Sequence, residues 1–349
     1  MNSLYLLKQK KKRQVWVITL LALSVAVMSL ICLLLGSSSM SMEEGLRALF
    51  GQGTGAQLRI MRSIRLPRVL AAVIAGAGLA ISGLMMQTTL NNSMASPSTL
   101  GVSNGAVFGA NLSIIAFGGG MVSSFDAMGN PYAAGGMAFL FAMLSVVLIL
   151  GLCRLRAFSP NVVVLAGIAL GSVWTAATTM LQFYATDVGL SAAVVWSFGD
   201  LSRATYQADF IMLAVVAAGL VFFLLMSWQY NALLSGEATA KTMGIHVERL
   251  RFLTLLISSL ITAVCVSYLG IIGFVGVICP HIIKKILGQD HRICIPASCL
   301  AGSLLLLLSD TLSRCLGDGA ALPVGAITSL LGAPFFMFII FSGKENRSC

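Results

Sequence analysis

Between Arg68 and Asp126 the chain carries no Asp, Glu, Lys or Arg. The same pattern recurs over Gln14–Met42, Ala127–Cys153, Ala157–Thr186, Phe210–Gly236, Phe252–Ile283, Ile293–Ser309 and Gly319–Gly343. Crossing the bilayer core takes about 20 predominantly apolar residues. An ionised side chain at the centre of such a span costs a few kcal/mol or more. Most of the stretches therefore hold one span each, while the first, and Phe252–Ile283 with the residues after it, are long enough for two. The pattern predicts an all-α polytopic membrane protein with about ten helices. Their expected places are Val15–Leu35, Pro67–Met86, Leu100–Phe117, Gly135–Cys153, Asn161–Tyr184, Asp209–Trp228, Phe252–Tyr268, Gly273–Leu287, Ile293–Leu316 and Val324–Phe341.

Only 10% of the residues are charged and 58% are hydrophobic, against about 25% charged in a soluble domain. Spans and short loops use up all 349 residues, so residues 1–349 read as a single transmembrane domain. The net charge of +10 sits in loops and tails between apolar spans. That distribution speaks for membrane topology and lipid contact, not for nucleic acid. Cys32, Cys153, Cys265, Cys279 and Cys299 fall in apolar segments, where free Cys behaves as a small hydrophobe. No CxxC pair or Cys/His cluster has ligand spacing, and His246, His281 and His291 lie apart, so neither a metal site nor a cofactor is expected. Lys8, Lys10, Lys11, Lys12 and Arg13 could head a signal peptide, but the apolar run after them exceeds the usual 7–15 or so residues. It reads as an uncleaved first helix behind a basic cytoplasmic tail, residues 1–14.

With the amino terminus inside, inner loops and tails collect fifteen of the 22 Lys and Arg, and the outer side seven. The positive-inside bias places both termini in the cytoplasm. The first outer loop breaks the bias with Arg47, Arg59, Arg62, Arg65 and Arg68. These either snorkel to lipid headgroups or form a docking surface for an acidic partner. The longest polar inner segment is residues 231–251. Within it Glu237–Met243 has helix-forming residues and ends at Gly244, a C-cap residue. It is either a solvated connection or the handle for a cytoplasmic partner.

Several motifs are more specific. They are Arg65-Leu66-Pro67-Arg68, then Ser82-Gly83-Leu84-Met85-Met86-Gln87, and the run Ala95-Ser96-Pro97-Ser98-Thr99-Leu100-Gly101. Further along come Leu165-Ala166-Gly167, Trp196-Ser197-Phe198-Gly199 and Gly273-Phe274-Val275-Gly276-Val277-Ile278-Cys279-Pro280-His281 with Asp290-His291-Arg292. Leu322-Pro323-Val324-Gly325 and Gly332-Ala333-Pro334-Phe335-Phe336 close the series. In this order the set resembles the iron-siderophore and vitamin B12 family of ABC importer permeases over nearly the whole chain. Two local departures are Ala321, where the family has an acid, and Ser93, where it has proline.

The resemblance implies a ten-helix permease that pairs with a second copy or close relative. It also implies two ATP-binding subunits beneath that pair and an extracytoplasmic substrate-binding protein above it. No G-x-x-x-x-G-K-[ST] loop occurs, and Gly343-Lys344-Glu345 lacks its other elements, so the chain is not itself the ATPase. By resemblance, Arg65, Arg68 and Arg314 dock the binding protein. Asp310 lies four residues before Arg314 and could instead pair with it. By resemblance again, Gly236, Glu237, Ala240, Lys241, Met243 and Gly244 form the segment that couples to the ATPase. Glu237 and Lys241 stand at i,i+4 spacing there, and Gly244 lets the chain reverse. Gly167 and Gly171 either line the pathway or simply pack helices. The expected cargo is an iron chelate, with cobalamin or haem as alternatives. A secondary transporter is the rival from another class, but it would need intramembrane carboxylates, of which the spans show almost none.

Overall fold

The computed structural model describes residues 2–35, 41–118, 131–154, 160–316 and 322–342. Ala321 and Gly343–Glu345 lie outside them. Among the described residues the chain is helical. It begins with α1 (Asn2–Leu34), α2 (Met42–Leu49), α3 (Gly55–Ile60), α4 (Leu66–Thr89), α5 (Val102–Asn111) and α6 (Pro131–Arg154). There follow α7 (Pro160–Phe183), α8 (Asp187–Ser197), α9 (Tyr206–Leu225), α10 (Ser227–Leu233) and α11 (Glu237–Thr242). Last come α12 (Val247–Leu269), α13 (Val275–Leu287), α14 (His291–Leu316) and α15 (Val324–Ser342).

Each of the ten expected segments overlaps a helix. Among the described residues, seven helical runs are long and apolar enough to cross a membrane: those of α1, α3–α4, α6, α7, α9, α12 and α14. Two of the other expected segments fall short for local reasons. The segment expected over Leu100–Phe117 is broken at Gly101, whose φ of 66° ends a 3-10 turn (Pro97–Leu100), and it finishes in π-helical geometry over Leu112–Phe117. Helix α13 has 13 residues, about 20 Å at 1.5 Å per residue, less than the bilayer core. Helix α8 stands in a stretch read as a loop.

Helix α4 is the centre of the bundle, packed by α9, α12, α13 and α14. Its glycines set the spacing. A Cβ on Gly76 would overlap the backbone of Gly302 in α14, and one on Gly83 would overlap the carbonyl of Gly276 in α13. Backbones this close gain dispersion contact that larger residues forbid, as expected where lipid removes the hydrophobic drive between helices. Helix α1 is peripheral, with 11% of its apolar window buried, and it rests on α14.

Gly83 stands six residues before the end of α4, about 9 Å along its axis. Because it touches Gly276, α13 starts beside the body of α4 and not at the bundle's end. The α12–α13 connection therefore turns back within the bundle. Helix α8 ends in the same layer. Phe198 bridges Ile271, Asp200 N–H donates to Leu269 O at 2.8 Å, and Val324 N–H donates to Gly199 O at 2.8 Å. Non-helical backbone at such depth survives only where protein satisfies its polar groups, and these three connections satisfy one another. The carbonyls ending α8 are met by Arg203, which donates to Trp196 O at 2.9 Å and Val195 O at 2.8 Å.

Candidate functional site

Two ends of the bundle are chemically distinct: one carries α2 and α3, the other α10 and α11. Between them, a cleft of about 510 Å³ opens along one face of α7 and the Pro97–Leu100 turn. Gly167 and Gly171 both line it, with Ser172, Thr175, Thr179 and Asn104. Both glycines are also packing residues. A Cβ on Gly167 would overlap Thr99 O, and one on Gly171 would lie 3.3 Å from Asn104 Nδ2. The two readings of this pair are thus compatible, since the absence of side chains lets the turn approach and leaves the cleft open. Asn104 Nδ2 donates to Gly171 O at 3.1 Å and to Thr175 Oγ1 at 3.0 Å. The lining is small, hydroxyl-bearing and uncharged.

At the α11 end, Gly236 (φ 107°) admits the chain to α11, and Gly244 (φ 82°) turns it away. Gly244 N–H donates to Lys241 O at 3.0 Å and Ile245 N–H to Ala240 O at 3.1 Å. This pair of bonds is a Schellman stop, which satisfies carbonyls that a helix end otherwise leaves open. Ala240 is buried, and Met243 is half exposed. Lys241 lies 3.6 Å from Glu237 as the i,i+4 spacing predicts, and Arg251 reaches the same carboxylate at 3.2 Å. A six-residue helix is too short to hold itself in water, so these ties and the buried Ala240 give α11 its definition.

At the α2–α3 end, the structure redraws the arginine cluster. Arg65 and Arg68 are 4% and 7% exposed, and the Arg314 side chain is 7% exposed. Arg65 Nη1 donates to Leu33 O at 2.7 Å and Leu34 O at 2.9 Å. Arg314 Nη1 donates to Cys32 O at 3.0 Å and Leu35 O at 2.7 Å. Two guanidinium groups thereby cap the end of α1, where carbonyls lack helical partners and the helix dipole favours cations. Asp310, fully buried, stands 2.7 Å from Arg68 and 3.0 Å from Arg314. The i,i+4 pairing considered for Arg314 exists, and its guanidinium is turned inward. The desolvation cost of these charges is met here by carbonyls and Asp310. The exposed members of the cluster are Arg47, Arg59 and Arg62, beside the exposed Phe50.

Sequence reasoning missed two carboxylates as interior groups, Asp310 and Asp209, because each sits at the margin of an apolar run. Asp209 is 4% exposed, and its carboxylate oxygens have no hydrogen-bond partner among the described residues. It also missed a cavity of about 1280 Å³ between α6, α8, α9 and α12, edged by Tyr132, Trp196 and Tyr268.

The model of the FecCD transport family matches residues 23–342. The chain belongs to the FecCD transport family. A protein of Methanocaldococcus jannaschii named as an ABC transporter permease is 44% identical, the match covering 96% of each chain. The hemin transport system permease protein of Yersinia pestis is 34% identical over 94% of this chain and 97% of its own. Among solved structures, an inward-facing transporter of metal-chelate type superposes with a TM-score of 0.80 at 28% identity, covering 93% of this chain and 98% of that one. Membership makes this multi-pass membrane protein an ABC importer permease, a transport subunit like its relatives. The ordered motifs, Arg65-Leu66-Pro67-Arg68 to Gly332-Ala333-Pro334, fall within the matched residues.

Proposed function

We propose that this permease carries an iron chelate, a ferric siderophore, inward across the cytoplasmic membrane, driven by ATP hydrolysis on separate subunits. The observation that carries the reading is α11, a stiff, stopped and partly exposed helix at the end opposite the arginine-rich one. Such an element can transmit a push that a loose loop would absorb. Gly236 and Gly244 set its ends, Ala240 seats it, Glu237 and Lys241 stiffen it, and Met243 offers an apolar contact to the ATPase. The α11 end, and with it both termini, then faces the cytoplasm.

A second permease copy covers the open face of α7, on which Leu165 and Ile168 are more than half exposed, and completes the pathway along Gly167 and Gly171. An uncharged, hydroxyl-bearing wall suits a bulky chelate that must pass without sticking. The extracytoplasmic binding protein docks at the α2–α3 end. There Arg47, Arg59 and Arg62 present charge, while Arg65, Arg68 and Arg314 hold the framework behind them. Iron follows the motif resemblance and relatives at 30–34% identity named for hemin, iron chelatin and Fe(3+)-citrate; haem and cobalamin are the alternatives, since other relatives at 30–35% are named for vitamin B12 or cobalamin. An ion-coupled carrier is the second reading, favoured by Asp209 alone, a buried carboxylate of the kind such carriers use.

Cells lacking the chain decide among these. Radioiron uptake from ferric siderophores should be lost and then restored by the intact gene, with haem and radiocobalt-labelled cobalamin uptake unchanged. Loss of cobalamin uptake alone would overturn the iron assignment. Uptake that continues without ATP but stops when ion gradients are dissipated would overturn the importer mechanism.

A further inference from the structure

Three consecutive residues at the end of α4, Gln87, Thr88 and Thr89, each hold a different element. Gln87 Nε2 donates to Gly276 O at 3.3 Å and Val277 O at 3.2 Å in the first turn of α13, and its Oε1 accepts from Lys284 Nζ at 3.1 Å. Thr88 Oγ1 lies 2.8 Å from Nε2 of His291, the first residue of α14. The carbonyl of Thr89 accepts from Arg251 Nε at 3.3 Å. Through these partners the turn reaches both flanks of α11. Arg251 also binds Glu237, the first residue of α11, at 3.2 Å. His291 is bound by Asn231 of α10, the helix that leads into α11.

The His291 contact has a defined proton arrangement. Asn231 Nδ2 donates to Asp290 Oδ1 at 2.8 Å, and Asn231 Oδ1 accepts from His291 N–H at 2.8 Å. Those two bonds fix which way the amide points. Nδ1 of His291, also 2.8 Å from Asn231 Oδ1, is therefore the protonated ring nitrogen, and in the neutral ring Nε2 is left as an acceptor for the Thr88 hydroxyl, whose single proton it shares with Leu84 O at 3.0 Å. His291 is 1% exposed, so water does not compete for its buried contact with Thr88, while the Asn231–Asp290 end of the chain of bonds is at the surface.

We propose that Gln87-Thr88-Thr89 is the junction that carries displacement of α11 into α4 and α13, with His291 and Arg251 as the positioning residues that join them. The proposal rests on the coupling role given to α11. A push on α11 meets α4 at two adjacent residues, 88 and 89, and residue 87 passes it to α13. Without the two bridges α11 moves against a bundle that stays where it is.

The test uses the permease assembled with its ATP-binding subunit in nanodiscs, with Cys315 and Cys349 replaced by Ser and a reporter Ser172→Cys in the cleft. The measurement is the ratio of maleimide labelling rates in the nucleotide-free and vanadate-trapped states. The ratio should collapse to unity in a Thr88→Val, Arg251→Gln double variant that still co-purifies with an active ATPase. It should be retained in Thr88→Ser, which keeps the hydroxyl and would rescue nothing if the site were only a packing position. An unchanged ratio in the double variant overturns the junction. Ala240→Glu, which disrupts the seat of α11, separates the two readings. If it abolishes the ratio while the double variant does not, α11 couples by another route. If it too leaves the ratio unchanged, the coupling role falls and the junction with it.

Discussion

Asp310 shows what a single side chain does in this bundle. It is the one carboxylate among the described residues in contact with Arg68 and Arg314, and both guanidinium groups are buried with it. Removing one partner of a buried ion pair leaves an uncompensated charge, which typically costs about 3–5 kcal/mol. Asp310→Asn should therefore lower the thermal unfolding midpoint of the detergent-purified protein more than Arg59→Gln, an exposed position expected to stay within about 0.5 kcal/mol of wild type. Equal midpoints for the two variants would show that Arg68 and Arg314 find other partners. The sequence announces Arg68 and Arg314 plainly, as cations next to apolar runs, but not which way they point. Direction depends on where α1 ends relative to α4 and α14, a contact spanning up to 282 residues that no local pattern encodes.

Among elements, the spans were legible because charge avoidance and length are local properties. Of the shorter helices, α11 and α13 were legible nearly at their full ranges, but α8 was not. Helix α8 begins with Thr186 as its N-cap, the Oγ1 accepting from Gly189 N–H at 3.2 Å, a signal present in the sequence. Asp187, Asp200 and Arg203 around it nonetheless read as a loop, because the bonds that let its end sit inside the bundle come from distant connections. Close packing of helices separates glycines by consequence. A methyl on Gly83 would meet the Gly276 carbonyl, whereas one on Gly136 of α6 meets nothing within 4 Å. Gly83→Ala should destabilise by about 1–3 kcal/mol through overpacking. Gly136→Ala should be neutral or stabilising by up to about 1 kcal/mol, from helix propensity alone. Unfolding midpoints of the two purified variants check this. A tolerant Gly83 would mean that α4 and α13 can part without loss.

For the whole molecule, the orientation proposed from the charge count is directly measurable. In a background with Cys315 and Cys349 replaced, an impermeant maleimide should label Gln52→Cys in intact cells. Thr242→Cys, in α11, should react only after permeabilisation. The reverse result would invert the bundle and exchange its two partner surfaces. Composition made the membrane class readable and the ordered motifs carried the family resemblance; the cleft, the buried carboxylates and the α4 junction emerge only when distant segments meet. The cap on α1 then bears on how the chain is made. Of the two arginines at that helix end, Arg65 is synthesised 32 residues after Leu33, but Arg314 follows Cys32 by 282. A chain ending before α14 would leave the Cys32 and Leu35 carbonyls without that donor. The far end of α1 is thus completed only once α14 has been made.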